Sequence, residues 1–331
     1  MPAGEVVDAA APTGFALLIE TATVRVRMVT RRKHDWIDVA ERGSMAGLWF
    51  VAGLATLLGR RPARAFLRPL ALYYAVSHRG ARRASRDVLT LVNGRATPIM
   101  QYRHMLRFSQ CSLDRLFFLR GAWQAFEIHE HGEEHLRRTL DQGRGALLLG
   151  AHLGCYEAMQ RLAEARGVRV NVVGDFRNAR GISTVLERFA PAFRARLVEL
   201  DPDDVSFVLR IREMIERGEL VALLADRVYP DGRTAEVELL GRKARLPTGP
   251  YALAAALGCP VLLTFALHRP PNRYDVYCEP FSDRVEIPRR GRDAALARHA
   301  QRFADRVSHY CRIAPDNWFN FYDFWDDGGS V

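Results

Sequence analysis

Residues 145–157 read GALLLGAHLGCYE and hold the strongest local pattern in the chain. The continuous apolar run ALLLG (146–150) predicts a strand covered on both faces, and it ends in small residues that present His152. Glu157 follows five positions later. On an ideal helix five residues rotate by about 500°, which would leave the two side chains roughly 140° apart and unable to pair. His152 is therefore predicted in the turn before a helix, with Glu157 in its first turns. From there the carboxylate can reach back to one imidazole nitrogen, fix the tautomer and leave the other nitrogen free as a base. Gly150 and Gly154 leave room for that geometry. Taken alone, the spacing also describes a capping histidine followed by a surface glutamate, so the surroundings decide the reading.

Those surroundings alternate short β-rich runs with helical ones. Apolar runs at 146–150, 168–174, 195–200, 219–225, 235–240, 260–267 and 274–279 are predicted strands, and 156–166, 182–189, 204–217, 249–257 and 293–313 are predicted helices. Upstream, 82–120 is helical with a break at Asn93-Gly94. The fold class implied is α/β, a mostly parallel central sheet covered by helices, and strand ends in such folds are where reactive groups sit.

With 331 residues and 48% apolar content, the chain can fill a large core, which excludes global disorder. Its net charge of +10 is carried by arginine, since Lys33 and Lys243 are the only lysines, and favours anionic partners. Cys111, Cys155, Cys259, Cys278 and Cys311 are odd in number and widely spaced, which argues against a disulfide framework and points to a reducing, cytoplasmic compartment. The N-terminal residues lack the basic and apolar regions of a secretory signal. Residues 44–59, SMAGLWFVAGLATLLG, are uncharged and precede Arg60 and Arg61, yet fall short of the about 20 apolar residues of a spanning helix. A buried or interfacial helix is the favoured reading, over a single anchor. Residues 63–86 alternate apolar runs with arginines and carry Tyr73 and Tyr74, a composition suited to lipid headgroups. The expected division is a helical membrane-associating region, 1–78, followed by a catalytic domain, 79–331.

His152-x4-Glu157 after an LLLGA strand resembles the HX4(D/E) motif of glycerolipid acyltransferases, and in particular of the lipid A late acyltransferase family. The resemblance continues through WIDVAERGS (36–44), VVGDFRN (172–178), LLADRVYPDGR (223–233), ARLPTGPYALAAALGCPV (244–261) and PDNWFNFYDFW (315–325). WIDVAERGS is similar to the branch that accompanies aryl-polyene pigment clusters in Gram-negative bacteria. The resemblance implies an O-acyltransferase at the cytoplasmic face of the inner membrane, without metal or organic cofactor. His152 would be the general base and Glu157 its orienting partner, with a hydrophobic groove near His152 for the acyl chain. The donor would be an acyl or aryl-polyenoyl thioester of acyl carrier protein, and the acceptor a hydroxyl of a membrane lipid or glycolipid. Secondary acylation of lipid A itself is the alternative. Arg177, Asp226 and Arg227 are carried over as polar residues shaping a substrate site. Arg177 and the turn at Thr248 and Gly249, which opens a helix with free N–H groups, suit the developing oxyanion. Cys155 and the aromatic segment 315–325 read as packing.

Two other classes compete. His131, Glu134 and His135 fit the His-x-x-Glu-His pattern of inverted zinc metallopeptidases. That chemistry needs one continuous helix and a third ligand, whereas the helix here is predicted to begin at Glu133. A basic binding protein is prompted by HRGARRASR (78–86), but no aromatic-interleaved nucleic-acid motif accompanies that run.

Overall fold

The run ALLLG forms β2 (Ala146–Gly150), every residue of which is buried. Its continuous apolar pattern follows from its place inside the sheet. Strand β5 (Leu220–Leu224) lies parallel on one side and β8 (Val261–Arg269) parallel on the other. In the computed structural model the described residues are 45–160, 163, 167–174, 196–200, 205–229 and 232–325. Adding β1 (Glu127–His131), β3 (Val170–Gly174), β4 (Leu197–Glu199) and β9 (Arg273–Ser282) gives a seven-stranded sheet in the order β1-β9-β8-β2-β5-β3-β4. Within this sheet, among the described residues, only the β8–β9 pairing is antiparallel, so the fold is α/β with a mostly parallel sheet.

Side chains of β2 alternate between two cores. Leu147 and Leu149 join a cluster with Phe265, Phe303 and Tyr310, which draws in α6 (Val205–Glu216), α7 (Gly249–Leu257) and α8 (Arg292–Ile313). Ala146 and Leu148 join the opposite cluster, with Phe118, Phe126 and Leu136. That face is covered by α4 (Pro98–Leu119) and α5 (Glu133–Asp141). Each fully buried leucine contributes about 1.5–3 kcal/mol of apolar burial, and the strand stays put because both of its faces are covered.

The helical lead-in comprises α1 (Met45–Leu58), α2 (Arg60–Ser77), α3 (Arg79–Asn93) and α4. The predicted break at Asn93-Gly94 is the α3 cap, where Gly94 takes the left-handed conformation with φ 72°. Thr97 caps α4 by accepting from the Met100 N–H, with Pro98 at the first helical position. Ala63 and Leu67 of α2 pack against Leu113 and Leu116 of α4, and Arg60 forks onto Asp114 at 2.7 and 2.8 Å. No helix among the described residues is long and apolar enough to cross a membrane.

Two elements differ from the sequence reading. The single strand expected over 235–240 is one arm of a separate hairpin, β6 (Thr234–Leu239) with β7 (Arg242–Pro247). Its two-residue turn is Leu240-Gly241, both at positive φ (56° and 80°). A leucine there hides the turn, because Asn, Asp or Gly would announce it. The helix expected over 156–166 opens as a 3-10 turn, Tyr156–Met159. The expected helix 182–189 and the block 36–44 lie outside the described residues.

Downstream of β2, Gly154 makes the turn possible. It adopts φ 74°, and a Cβ there would lie 1.8 Å from the Ala266 carbonyl oxygen of β8. The close approach lets Cys155 N–H donate to that same carbonyl at 2.9 Å. Gly154→Ala is expected to destabilise the fold by about 2 kcal/mol or more, combining left-handed strain with a backbone clash. Urea unfolding checks this, and unchanged stability would contradict it.

Candidate active site

Parallel register places His152 beside Asp226. Gly150 at the end of β2 is the partner of Leu224 at the end of β5. Two residues beyond each strand stand His152 and Asp226, side by side at the carboxyl edge of the sheet, where open α/β sheets place their ligands. Ala225 N–H donates to the Gly150 carbonyl at 2.8 Å and closes the gap between the two strand ends. His152 is the middle residue of a three-residue turn, in which Leu153 N–H reaches the Ala151 carbonyl at 2.6 Å.

The Asp226 carboxylate grips this turn twice. Its Oδ1 lies 2.8 Å from His152 Nδ1, and its Oδ2 accepts the His152 backbone N–H at 3.0 Å. An ionised carboxylate only accepts, so Nδ1 carries the proton and Nε2 is left with its lone pair. Oδ2 also accepts from Trp318 Nε1 at 3.0 Å and Asn320 Nδ2 at 3.3 Å. Arg227 Nε donates to Asn320 Oδ1 at 3.2 Å, and its guanidinium reaches the Phe319 carbonyl at 3.1 Å.

Burial, followed by the nearby Arg227 charge, pushes the His152 pKa below its ordinary value, against the opposing pull of Asp226. Burial alone would raise Asp226, but the His152 interaction, Arg227 and the Trp318 hydrogen bond together hold it well below the usual carboxylate range. The resulting state at neutral pH is a neutral imidazole beside an ionised aspartate. About a quarter of the His152 side chain, 27%, is exposed, so its free nitrogen can be approached.

Residues 121–326, more than half of the chain, match the family model for bacterial lipid A biosynthesis acyltransferases. The chain belongs to this family. Among curated proteins none matches it. Family membership makes the protein an acyltransferase of lipid biosynthesis acting on a lipid acceptor.

The His-x4-Glu motif of this acyltransferase is arranged differently from the sequence expectation. Glu157 does not reach back to the imidazole. It is 1% exposed and accepts from Arg115 Nε of α4 at 2.5 Å, while its other oxygen receives the Cys155 thiol at 3.3 Å. The 3-10 turn that follows Cys155 aims Glu157 at α4, away from His152. Burial opposes the Arg115 charge, but Glu157 beside it more than compensates and keeps the guanidinium protonated. Burial and Glu157 push the Cys155 thiol far up, which removes it as a nucleophile.

Of the other expected site residues, Asp226 and Arg227 lie beside His152, and Arg177 lies outside the described residues. Thr248 and Gly249 open α7, with the Thr248 N–H and hydroxyl both held on the Arg233 carbonyl. No hydrogen bond joins either residue to His152 or Asp226 among the described residues. Trp318 and Asn320, read from sequence as packing, prove to be partners of Asp226. An indole N–H and an amide, both fully buried, are the signal that marks such residues, since each requires a partner. The metallopeptidase pattern is divided: His131 ends β1 with its ring stacked on Tyr277, and Gly132 at φ 75° separates it from α5, which carries Glu134 and His135. No three His, Cys, Asp or Glu residues are grouped for a metal among the described residues.

The two carboxylates should separate on mutation. Glu157→Gln is expected to cost about 1–3 kcal/mol of stability, because Arg115 loses its partner, and to lower the His152 pKa only slightly, through the Arg115 charge it leaves unmatched. Asp226→Asn is expected to lower the His152 pKa further, since its charge favours the imidazolium. Denaturant unfolding and histidine NMR titration check both, and a larger His152 shift in Glu157→Gln than in Asp226→Asn would reverse the pairing.

Proposed function

We propose that the protein is a membrane-surface O-acyltransferase that moves an acyl chain from an acyl carrier protein thioester to a hydroxyl of a lipid or glycolipid. The observation that carries this reading is the Asp226 hold on His152 Nδ1, which leaves Nε2 as an acceptor at a partly exposed position. Nε2 removes the proton as the acceptor oxygen attacks the thioester carbonyl. The tetrahedral intermediate collapses, the C–S bond breaks, and the imidazolium returns its proton to the leaving thiolate. Asp226 stabilises the imidazolium in between. Arg227, Arg177 and the turn at Thr248 and Gly249 that opens α7 are the candidates for opposing the oxyanion and shaping the substrate site. Glu157 contributes through the Arg115 ion pair rather than by touching the base.

An aromatic shelf supports a long apolar donor. Phe319, whose N–H donates to the His152 carbonyl at 2.7 Å, packs with Phe108 and Phe321, and Phe108 is 42% exposed. Stacked rings suit an aryl-polyenoyl chain as well as an alkyl one. The family description keeps lipid A as the alternative acceptor.

Location at the cytoplasmic face of the inner membrane draws on α1 and α2, within the proposed membrane-associating region 1–78. Phe50, Leu57, Leu58, Phe66, Leu72, Tyr73 and Val76 are all exposed large apolar residues of these two helices. Arg61 and Arg68 are exposed among them, a mixture that fits anionic headgroups over an acyl layer. The net charge of +10 suits both this surface and an acidic carrier protein.

His152→Ala is expected to abolish transfer while the fold survives, and wild-type rates in the folded variant would overturn the mechanism. The wild-type kcat/KM is expected to rise with pH along an acid limb whose midpoint lies below the ordinary histidine value, since His152 must be neutral to act and its pKa is depressed. A midpoint well above about 6.5 would contradict that environment. For the membrane, Leu57→Glu with Val76→Glu is expected to weaken co-sedimentation with phosphatidylglycerol-containing vesicles. Unchanged binding would move the contact elsewhere.

A further inference from the structure

We infer that the C-terminal segment 316–320 is a positioning strap for the catalytic pair, in which Trp318 and Asn320 hold Asp226 in the orientation that presents His152. The inference rests on His152 acting as the base. Asp226 carries four donors, one on Oδ1 and three on Oδ2. Two of the four come from this one short segment.

The strap also binds the backbone on which the base is mounted. Phe319 N–H donates to the His152 carbonyl at 2.7 Å, Gly154 N–H donates to the Asn317 carbonyl at 2.8 Å, and Leu153 bridges Trp318 in antiparallel fashion. The same few residues therefore fix the base by its main chain and its partner by its side chain. The distance between them is set by one rigid piece.

That piece is itself anchored from two sides. Asn317 Oδ1 accepts the His268 N–H of β8 at 2.7 Å, while its amide returns to the His268 carbonyl at 3.3 Å. From α4, Arg107 grips Asp316 at 2.9 Å, and His104 Nε2 lies 2.9 Å from the Trp318 carbonyl. Burial holds the pKa of His104 down to about 4, so this contact is a neutral imidazole N–H donating to a carbonyl.

Packing alone would need neither the indole N–H nor an asparagine. Asn320 has a further electrostatic consequence, because its amide lies between Asp226 and Arg227, donating to one and accepting from the other. Through that bridge the guanidinium, also held on the Phe319 carbonyl, is tied to the carboxylate that binds the imidazole.

The test uses the full-length protein in detergent. One readout is the NMR titration of His152 in histidine-labelled protein. The other is thiol release from a long-chain acyl thioester of acyl carrier protein, presented with vesicles of extracted host-membrane lipid. Trp318→Phe keeps the ring and removes the N–H, and Asn320→Ala removes the bridge. Each is expected to lower kcat about tenfold with KM little changed, the scale of one charge-assisted hydrogen bond. Asn320→Asp adds negative charge beside the pair and is expected to raise both the His152 pKa and the acid limb of the pH–rate profile. Folded Trp318→Phe and Asn320→Ala proteins with wild-type kcat, or an unmoved His152 titration in folded Asn320→Asp, would overturn the strap. His152→Ala run beside them separates the two claims. Activity surviving in that variant refutes the base, whereas its loss together with unaffected strap variants refutes the strap alone.

Discussion

Taking a carboxylate out of water costs several kcal/mol unless matched charges and donors replace its hydration. Asp226 meets that demand with donors from the turn after β2 and from the 316–320 strap, and with the Arg227 charge at its own strand end. None of these segments is adjacent to another in sequence, apart from the contribution of Asp226 itself. The sheet brings the turn and the strand end together through the β2–β5 register, and β8 carries the strap through Asn317. Turn geometry, imidazole tautomer and the packing of 316–320 are thus consequences of satisfying one buried charge.

A second buried pair does a different job. Arg115 and Glu157 tie the residues following the His152 turn to α4, and the Cys155 thiol donates to the other carboxylate oxygen. The glutamate of the motif therefore fixes the trajectory of the chain leaving His152, while the aspartate fixes the ring. Loss of the glutamate would act through the frame of the turn, and loss of the aspartate through the proton on Nδ1.

The strand-turn-helix context of His152 was legible because β2 has an unbroken apolar pattern and a glycine-rich exit. Most of the strands were legible for the same reason, as was the α3 cap at Gly94. The pairing of His152 with Asp226 was not, since it depends on which strand lies beside β2. Periodicity cannot supply strand order. With β5 known as the neighbour, equal offsets from Gly150 and Leu224 would have pointed to Asp226. Glu157 pairs with Arg115 rather than with His152 because the chain after Cys155 takes a 3-10 turn, which the residue pattern of 156–166 does not distinguish from an α-helix. The Leu240-Gly241 hairpin escaped because a buried leucine occupies a position that usually takes Asn, Asp or Gly.

Helix α4 shows most clearly why sequence pattern ran out. Its apolar residues suggest an ordinary amphipathic helix, yet the buried set includes Gln101, His104, Arg107, Cys111 and Asp114, spaced three or four apart on one face. A polar stripe of that kind reads as a solvated surface until its partners are known. Here His104 and Arg107 hold the strap, Asp114 holds Arg60 of α2, and neighbouring Arg115 holds Glu157. One helix thereby connects the exposed apolar residues of α2 with both supports of the site. Hydrogen-bonded side chains allow few alternative arrangements, because any slip leaves a buried charge unmatched. The polar face of α4 therefore helps to fix the position of His152, by holding the segments on either side of it, while its apolar contacts supply the burial.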